Sequence, residues 1–267
     1  MKQLQLQTDR MLAHIENGVG WITFNQPQKR NAVSYDMWLA IPEIVNAFTA
    51  DDDVRVVVMK GAGDRAFVSG ADISEFEDKR SSTDAVEKYD QATAAANAAL
   101  KSLEKPLIAA IRGYCIGGGV AVALTADLRI SADDGQFAIP AARLGLGYGY
   151  RGIRELVQIV GPSHAKEIFF TARRFTAQEA KDMGLVNRVV PAGDLESTVR
   201  EIAEQIAANA PLTIRAAKAA VTEATKDPAD RDLAKIEAMV AECFASQDYI
   251  EGRRSFMEKR PPNFKGH

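Results

Sequence analysis

The stretch RGYCIGGGVAVALTAD, Arg112 to Asp127, together with the apolar run Pro106–Ile111 that leads into it, decides how this chain folds. PLIAAI reads as a short buried strand. The run breaks at Gly113, three glycines follow at Gly117, Gly118 and Gly119, and the apolar segment Val120–Ala126 reads as a helix. A strand, a glycine turn and a helix start leave backbone N–H groups without partners inside the helix. Such groups, at the positive end of the helix dipole, stabilise a negative oxygen.

Working outward, residues 11–24 read as two strands around a turn at Asn17-Gly18, and Ser34 to Phe48 has helical periodicity. Val54–Met59 is a β-branched buried strand that runs through the turn Gly61–Gly63 into AFVSGADISEF, Ala66–Phe76. Residues 84–103 form an alanine-rich helix, and Leu128–Ile130 is a further strand. Strands alternating with helices predict a layered α/β domain. After Pro140 the chain is glycine-rich to Gly152. Helices are then expected at 153–160, 163–170, 177–183, 195–209, 212–224 and 229 to about 247, with a short strand at Leu185–Val190. This divides the chain into a core, 1–194, and a helical C-terminal region, 195–267, with a basic, proline-bearing tail that cannot be helical throughout.

Composition narrows the function. The chain has 267 residues, 46% hydrophobic and 26% charged, as expected of a globular protein with a sizeable core. A net charge of −3 provides no basic field for nucleic acid. No apolar run is long enough to span a bilayer, and the first residues lack the apolar segment of a signal peptide. The two cysteines, Cys115 and Cys243, make no disulfide framework, so a reducing cytoplasm is the expected compartment. His14, His164 and His267 fall in no metal or triad pattern, and no metal site is expected. Proton carriers are then to be sought among carboxylates, Tyr, Lys and Cys. Cys115 has no base or cation beside it and reads as a small buried hydrophobe.

AFVSGADIS repeats the shape of the first glycine loop: a strand end, a Ser-Gly pair, then a turn. Two such loops in one domain can aim two N–H groups at one oxygen. Taken singly, each loop reads more simply as a tight turn that allows close packing.

SGADI at 69–73 and KPLIAAIRGYCIGGG at 105–119 resemble the crotonase, or enoyl-CoA hydratase/isomerase, family. The resemblance extends over the whole chain through KRNAVS at 29–34, ADLRISADDGQFAIP at 126–140, FTAQEAKDMGLVNRVVP at 175–191, NAPLTIRAAK at 209–218 and EGRRSFMEKRPPNFKGH at 251–267. It implies a spiral of ββα units with a helical C-terminal trimerisation region, assembled as homotrimers or dimers of trimers. It also implies acyl-CoA substrates in fatty-acid metabolism, no cofactor beyond the CoA of the substrate, and no nucleic-acid or membrane partner. By position, Ala71 and Gly118 would supply the two oxyanion-hole N–H groups. Lys29, Arg30, Ala32, Ser69, Gly70, Asp72 and Ile73 would line the CoA site, with Asp72 near the adenine. Phe256 and Lys259 match a C-terminal aromatic and lysine that reach a CoA, often that of a neighbouring subunit.

The same resemblance exposes a loss. Family hydratases carry one glutamate three residues after the middle glycine of the 117–119 loop and another after the proline of a Phe-x-x-Pro segment. Here these positions are Ala121 and Ala141. A methyl group moves no proton, so water addition should be lost. Chemistry that makes an enolate without a base is then expected of a lyase. Loss of CO2 from a malonyl-type thioester does this, and the C-terminal half is similar to methylmalonyl-CoA decarboxylases of the family, which carry a tyrosine at the position of Tyr148. Those enzymes carry a histidine where this chain has Ala71. Gly117, Ala121, Ala141 and Tyr150 are expected around the pocket, shaped further by regions 80–100 and 142–154. Arg151 and Arg154 could hold a substrate carboxylate or pair on the surface, for instance with Glu155. A non-catalytic acyl-CoA-binding scaffold is the reading from a different class.

Overall fold

The computed structural model describes residues 1–75 and 83–267, apart from the side chains of Ile73 and Thr83. Phe76, residues 80–82 of the expected pocket region and the Ile73 side chain lie outside the described residues.

Strands β2 (Met11–Glu16) and β3 (Val19–Phe24) form the expected hairpin. Its two turn residues, Asn17 and Gly18, both have positive φ (51° and 78°), the backbone that a two-residue hairpin turn demands. β1 (Lys2–Gln3) extends the hairpin at its edge, and helix α1 (Tyr35–Ala50) follows it. From there the chain repeats one unit. β4 (Val56–Gly61) and β5 (Ala66–Val68) lead to α2 (Thr83–Ser102); β6 (Leu107–Ile111) and β7 (Tyr114–Ile116) lead to α3 (Gly118–Leu124); β8 (Leu128–Ala132) and β9 (Gln136–Ala138) lead to α4 (Tyr150–Thr171). The first strand of every unit enters one sheet and the second enters another. With β10 (Phe175–Thr176) and β11 (Arg188–Val190), the orders are β1-β2-β3-β4-β6-β8-β11 and β10-β9-β7-β5. Each turn of the spiral therefore adds one parallel strand to each sheet.

The continuous apolar runs at β4 and β6 follow from burial on both faces, as parallel strands require. Side chains alternate across the sheet. Val57 and Met59 join the main core with Leu107 and Ala109. Val56 and Val58 face a second core with Val19, Trp21, Ile108 and Ile130, closed by Leu195, Val199 and Ala203 of α6 (Leu195–Ala207). The boundary expected at 195 falls at the start of α6, so the first helix beyond it covers the outer face of the large sheet.

α5 (Ala177–Asp182), α7 (Pro211–Ala224), α8 (Leu233–Ala245) and α9 (Gln247–Glu258) complete the described helices. Gly161, at φ 74°, breaks α4 between the two helices expected at 153–160 and 163–170. The strand expected over Leu185–Val190 keeps only its last three residues. α9 lies beyond the last helix expected from periodicity. Ser246 separates it from α8 and caps it, its hydroxyl accepting from the Tyr249 N–H at 3.1 Å. The tail folds back on α9, where the buried Asp248 carboxylate accepts from the Lys265 and Gly266 N–H groups at 2.6 and 2.8 Å. Among the described residues no helix is long and apolar enough to cross a membrane.

Candidate functional site

β5 and β7 are parallel neighbours, so the loops that leave their ends, Ser69–Ala71 and Gly117–Gly118, emerge side by side. The first is tied to the segment before α1. Val33 N–H donates to the Gly70 carbonyl at 2.8 Å, and Asp72 N–H donates to the Val33 carbonyl at 2.9 Å. In this parallel bridge the N–H of Ala71 itself faces away from Val33. The second loop lies close to it: a Cβ built on Gly118 would lie 3.7 Å from the Ala71 nitrogen. Gly118 is the first residue of α3, two residues earlier than the helix start expected from the sequence, so its N–H has no intrahelical acceptor. Among the described residues, neither the Ala71 nor the Gly118 N–H is hydrogen bonded.

Two glycines make the approach possible. Gly117 holds φ 55° and ψ −112° as the residue before the helix, a conformation that a Cβ disfavours. Gly119 packs so tightly that a Cβ would sit 2.0 Å from the Val68 carbonyl oxygen on β5.

The KRNA segment is held from beneath. Asn31, fully buried, accepts the Gln26 N–H at 3.0 Å and donates to the Ala62 and Ala66 carbonyls at 3.0 and 2.7 Å. Gln26, also buried, donates to the Ala32 carbonyl at 2.8 Å and to Asp72 at 3.3 Å. Lys29 turns inward and donates to the Asp72 carboxylate at 2.7 Å and to Ser74 Oγ at 2.8 Å. Burial raises the Asp72 carboxyl, but the hydrogen bonds from Lys29 and Ser74 outweigh it and hold the group below the usual carboxylate range. Ser69 closes the corner, its hydroxyl donating to the Lys29 carbonyl at 3.3 Å. Thus Lys29, Arg30, Ala32, Ser69, Gly70 and Asp72 do gather at one place beside Ala71, with the Asp72 charge already balanced by Lys29. Asn31 and Gln26 are site supports that the sequence reading passed over. Asn31 at φ 55° sits in the left-handed region that asparagine tolerates, and this is the local signal in KRNA.

The two alanines flank the same corner. Ala121 lies one turn along α3 from Gly118, and its N–H donates to the Gly117 carbonyl. A Cβ on Gly117 would lie 4.0 Å from Pro140 Cδ, and the buried Ala141 follows that proline. Tyr148 is half-buried, edge-on to Phe169 at 5.0 Å, and among the described residues its hydroxyl has no hydrogen-bond partner. Burial, with a smaller contribution from the charge of Glu155, raises its hydroxyl above the usual tyrosine range. Tyr150 opens α4 and is 78% exposed. Arg154 pairs with Asp227 at 3.3 Å, while Glu155 is taken by Lys101. Cys115 is fully buried, and burial pushes its thiol far up, as expected of an inert core residue. Among the described residues no cluster of His, Cys, Asp or Glu could hold a metal ion.

Phe256 and Lys259 lie elsewhere on the chain. Phe256, 82% exposed, lines an apolar recess of about 700 Å³ with Leu212, Ala216, Phe244, Tyr249 and Phe264. No residue of either glycine loop lines that recess. Lys259 ends α9 in the left-handed conformation, φ 53°.

The sequence profile of the enoyl-CoA hydratase/isomerase family matches residues 14–267. A short-chain-enoyl-CoA hydratase of Clostridium acetobutylicum is 34% identical over 255 residues, covering 96% of this chain and 97% of its own. A carnitinyl-CoA dehydratase of Escherichia coli O157:H7 is 34% identical over 250 residues, covering 92% and 94%. Among solved structures, an enoyl-CoA hydratase/carnithine racemase from Magnetospirillum magneticum superposes with a TM-score of 0.91 at 34% identity, over 99% of this chain and 97% of that one. On the strength of this match, from the β2 hairpin to the folded-back tail, the chain belongs to the enoyl-CoA hydratase/isomerase family.

Proposed function

We propose that this protein is an acyl-CoA enzyme that stabilises a thioester enolate between the Ala71 and Gly118 N–H groups and does not add water to a double bond. One observation carries the reading: two unpaired N–H groups stand on adjacent loops that pack side by side, while the residues beside them, Ala121 and Ala141, carry no carboxylate. Each N–H aimed at a developing oxyanion is worth about 3 kcal/mol of barrier, or roughly 10²–10³ in rate. The absent carboxylates correspond to a loss of about 10²–10⁴ in rate for each missing proton transfer. The Lys29–Asp72–Gln26 corner is the CoA wall of this reading. The exposed Phe256 and Phe244 in their apolar recess favour assembly as a homotrimer or dimer of trimers. Two unpaired cysteines accord with a cytoplasmic location.

Loss of CO2 from a malonyl-type thioester is the lyase reaction favoured by Tyr148. The bond from the α-carbon to the carboxylate breaks, and its electron pair enters the enolate. The negative charge settles on the thioester oxygen between the two N–H groups. A proton then passes from a neutral acid to the α-carbon as the carbonyl reforms. Tyr148, kept protonated by burial and without a partner of its own among the described residues, is that acid in our reading.

The test is to incubate the protein separately with crotonyl-CoA and methylmalonyl-CoA, following enoyl absorbance and CO2 release. The expected outcome is negligible hydration and CO2 release that falls by about 10²-fold or more in Tyr148→Phe. Rapid hydration would overturn the reading of Ala121 and Ala141. CoA binding with no turnover of either thioester would favour a non-catalytic scaffold.

A further inference from the structure

We infer that Gly152 and Phe169 are positioning residues for Tyr148: they hold its ring against α4, Gly152 by leaving room for it on the first turn and Phe169 by packing edge-on to it. The inference rests on the reading of Tyr148 as the proton donor and names what fixes that donor in place. Tyr148 stands on a loop that does little to hold it. Gly147 and Gly149 flank it, and a Cβ on either would meet nothing within 4 Å. Among the described residues, neither the Gly147 nor the Tyr148 N–H is hydrogen bonded. The contacts that fix the tyrosine are therefore those of its ring, and they come from both limbs of α4. A Cβ on Gly152 would lie 3.0 Å from Tyr148 Cε1 and 3.5 Å from Cδ1. The Phe169 ring meets it at 5.0 Å between centroids, with 64° between the planes, the edge-on geometry that aromatic pairs favour.

On a straight helix, residues 152 and 169 would lie about 25 Å apart. One ring touches both because the helix breaks at Gly161, with φ 74° and ψ 166°, a backbone that glycine alone adopts readily. The second limb folds back and returns Phe169 to the start of the first, where it packs with Tyr148 against the main core. Glycine is a poor helix former, and at 152 the tyrosine ring takes the space that a side chain would fill. Burial of the phenol, which keeps it protonated, follows from the same packing. Glu155, whose charge adds to this, is bound by Lys101 and is left in place by changes at 152 or 169.

The test makes Gly152→Ala and Phe169→Leu in the full chain, each in the parent and in Tyr148→Phe, and follows CO2 release from methylmalonyl-CoA. A second readout needs no turnover. The alkaline absorbance titration of tyrosinate, less that of the matching Tyr148→Phe protein, isolates Tyr148 from the other tyrosines. The alanine methyl pushes the ring aside, and leucine removes the ring edge that meets it. In each variant kcat is expected to fall about tenfold with KM little changed. Neither substitution is expected to lower the activity of Tyr148→Phe further. Tyr148 should titrate at lower pH than in the parent, nearer the ordinary tyrosine value, as its burial is relieved. The melting temperature of Gly152→Ala should not fall, because alanine is the better helix former. A Tyr148 titration unmoved in both variants would overturn the inference, as would a loss of CO2 release equally large when residue 148 is already phenylalanine. If the parent releases no CO2 while the titration moves, the hold on the ring stands and the acid role of Tyr148 falls.

Discussion

Replacing Gly119 by alanine adds one methyl group where the fold has no room for it. The new Cβ would lie 2.0 Å from the Val68 carbonyl oxygen, 2.9 Å from its carbonyl carbon and 3.1 Å from its Cβ. The obstacle is backbone of a fully buried strand, so no rotamer change relieves it. Either α3 or β5 must retreat by about 1 Å. Overpacking of this kind costs about 1–3 kcal/mol where side chains can adjust, and the upper end applies here because none can. Opposing it, alanine is favoured over glycine within a helix by about 1 kcal/mol. The clash wins, leaving a net loss of about 2 kcal/mol or more. For a chain of this size the melting temperature should then fall by about 4–8 °C. The same retreat separates Gly118 from Ala71, so the perturbed enoyl-thioester absorbance expected of bound crotonyl-CoA should fade as well. Thermal unfolding followed by circular dichroism reads the first effect, and a difference spectrum reads the second. An alanine variant as stable as the parent would refute the argument that this contact sets the spacing of the loops.

Asn31→Ala should destabilise the chain by about 4–5 kcal/mol, through three lost hydrogen bonds at about 1 kcal/mol each and alanine forced to φ 55° at about 1–2 kcal/mol; a urea midpoint shift equivalent to less than 1 kcal/mol would contradict this. Glu251 gives a pH test. Hydrogen bonds from Arg260 and from the Asn263 N–H hold its carboxyl at about 2, against an ordinary 4.5. A depressed carboxylate contributes stability that is present above its unfolded value and lost as pH falls through its folded value. Melting curves between pH 5 and pH 2 should therefore show a steeper loss in the parent than in Glu251→Gln, and parallel curves would rule out the contribution.

Much of the scaffold was readable because burial on both faces leaves an unmistakable mark. The Val56–Met59 and Leu107–Ile111 runs are apolar because helices cover both sides of the large sheet. The hairpin was readable from Asn17-Gly18, whose turn demands those residue types. The two glycine loops were visible as strand ends, and their likeness in shape has a structural cause, since they occupy the same position in successive turns of the spiral. The repeat itself was hidden. Backbone pairing defines each ββα unit, so the units need share no side chains, and no tandem repeat marks the sequence. Periodicity carried no sign of α9 either, because Ser246 interrupts the apolar pattern to cap a new helix.

The spiral has a consequence for how such a site can change its chemistry. The first turn contributes Ala71, the second contributes Gly118 and Ala121, and the third contributes Ala141, each at the exit of the strand that enters the small sheet. Neighbouring strands stand about 4.8 Å apart because their backbones are hydrogen bonded. The spacing of the N–H groups is thus set by backbone, through the ladder and the close approach of Gly119 to Val68, rather than by any side chain. On the proposed reading, a substitution on the second or third turn can remove or install a proton carrier without disturbing the two N–H groups beside it. In this chain the two alanines read as exchangeable parts mounted on a fixed frame.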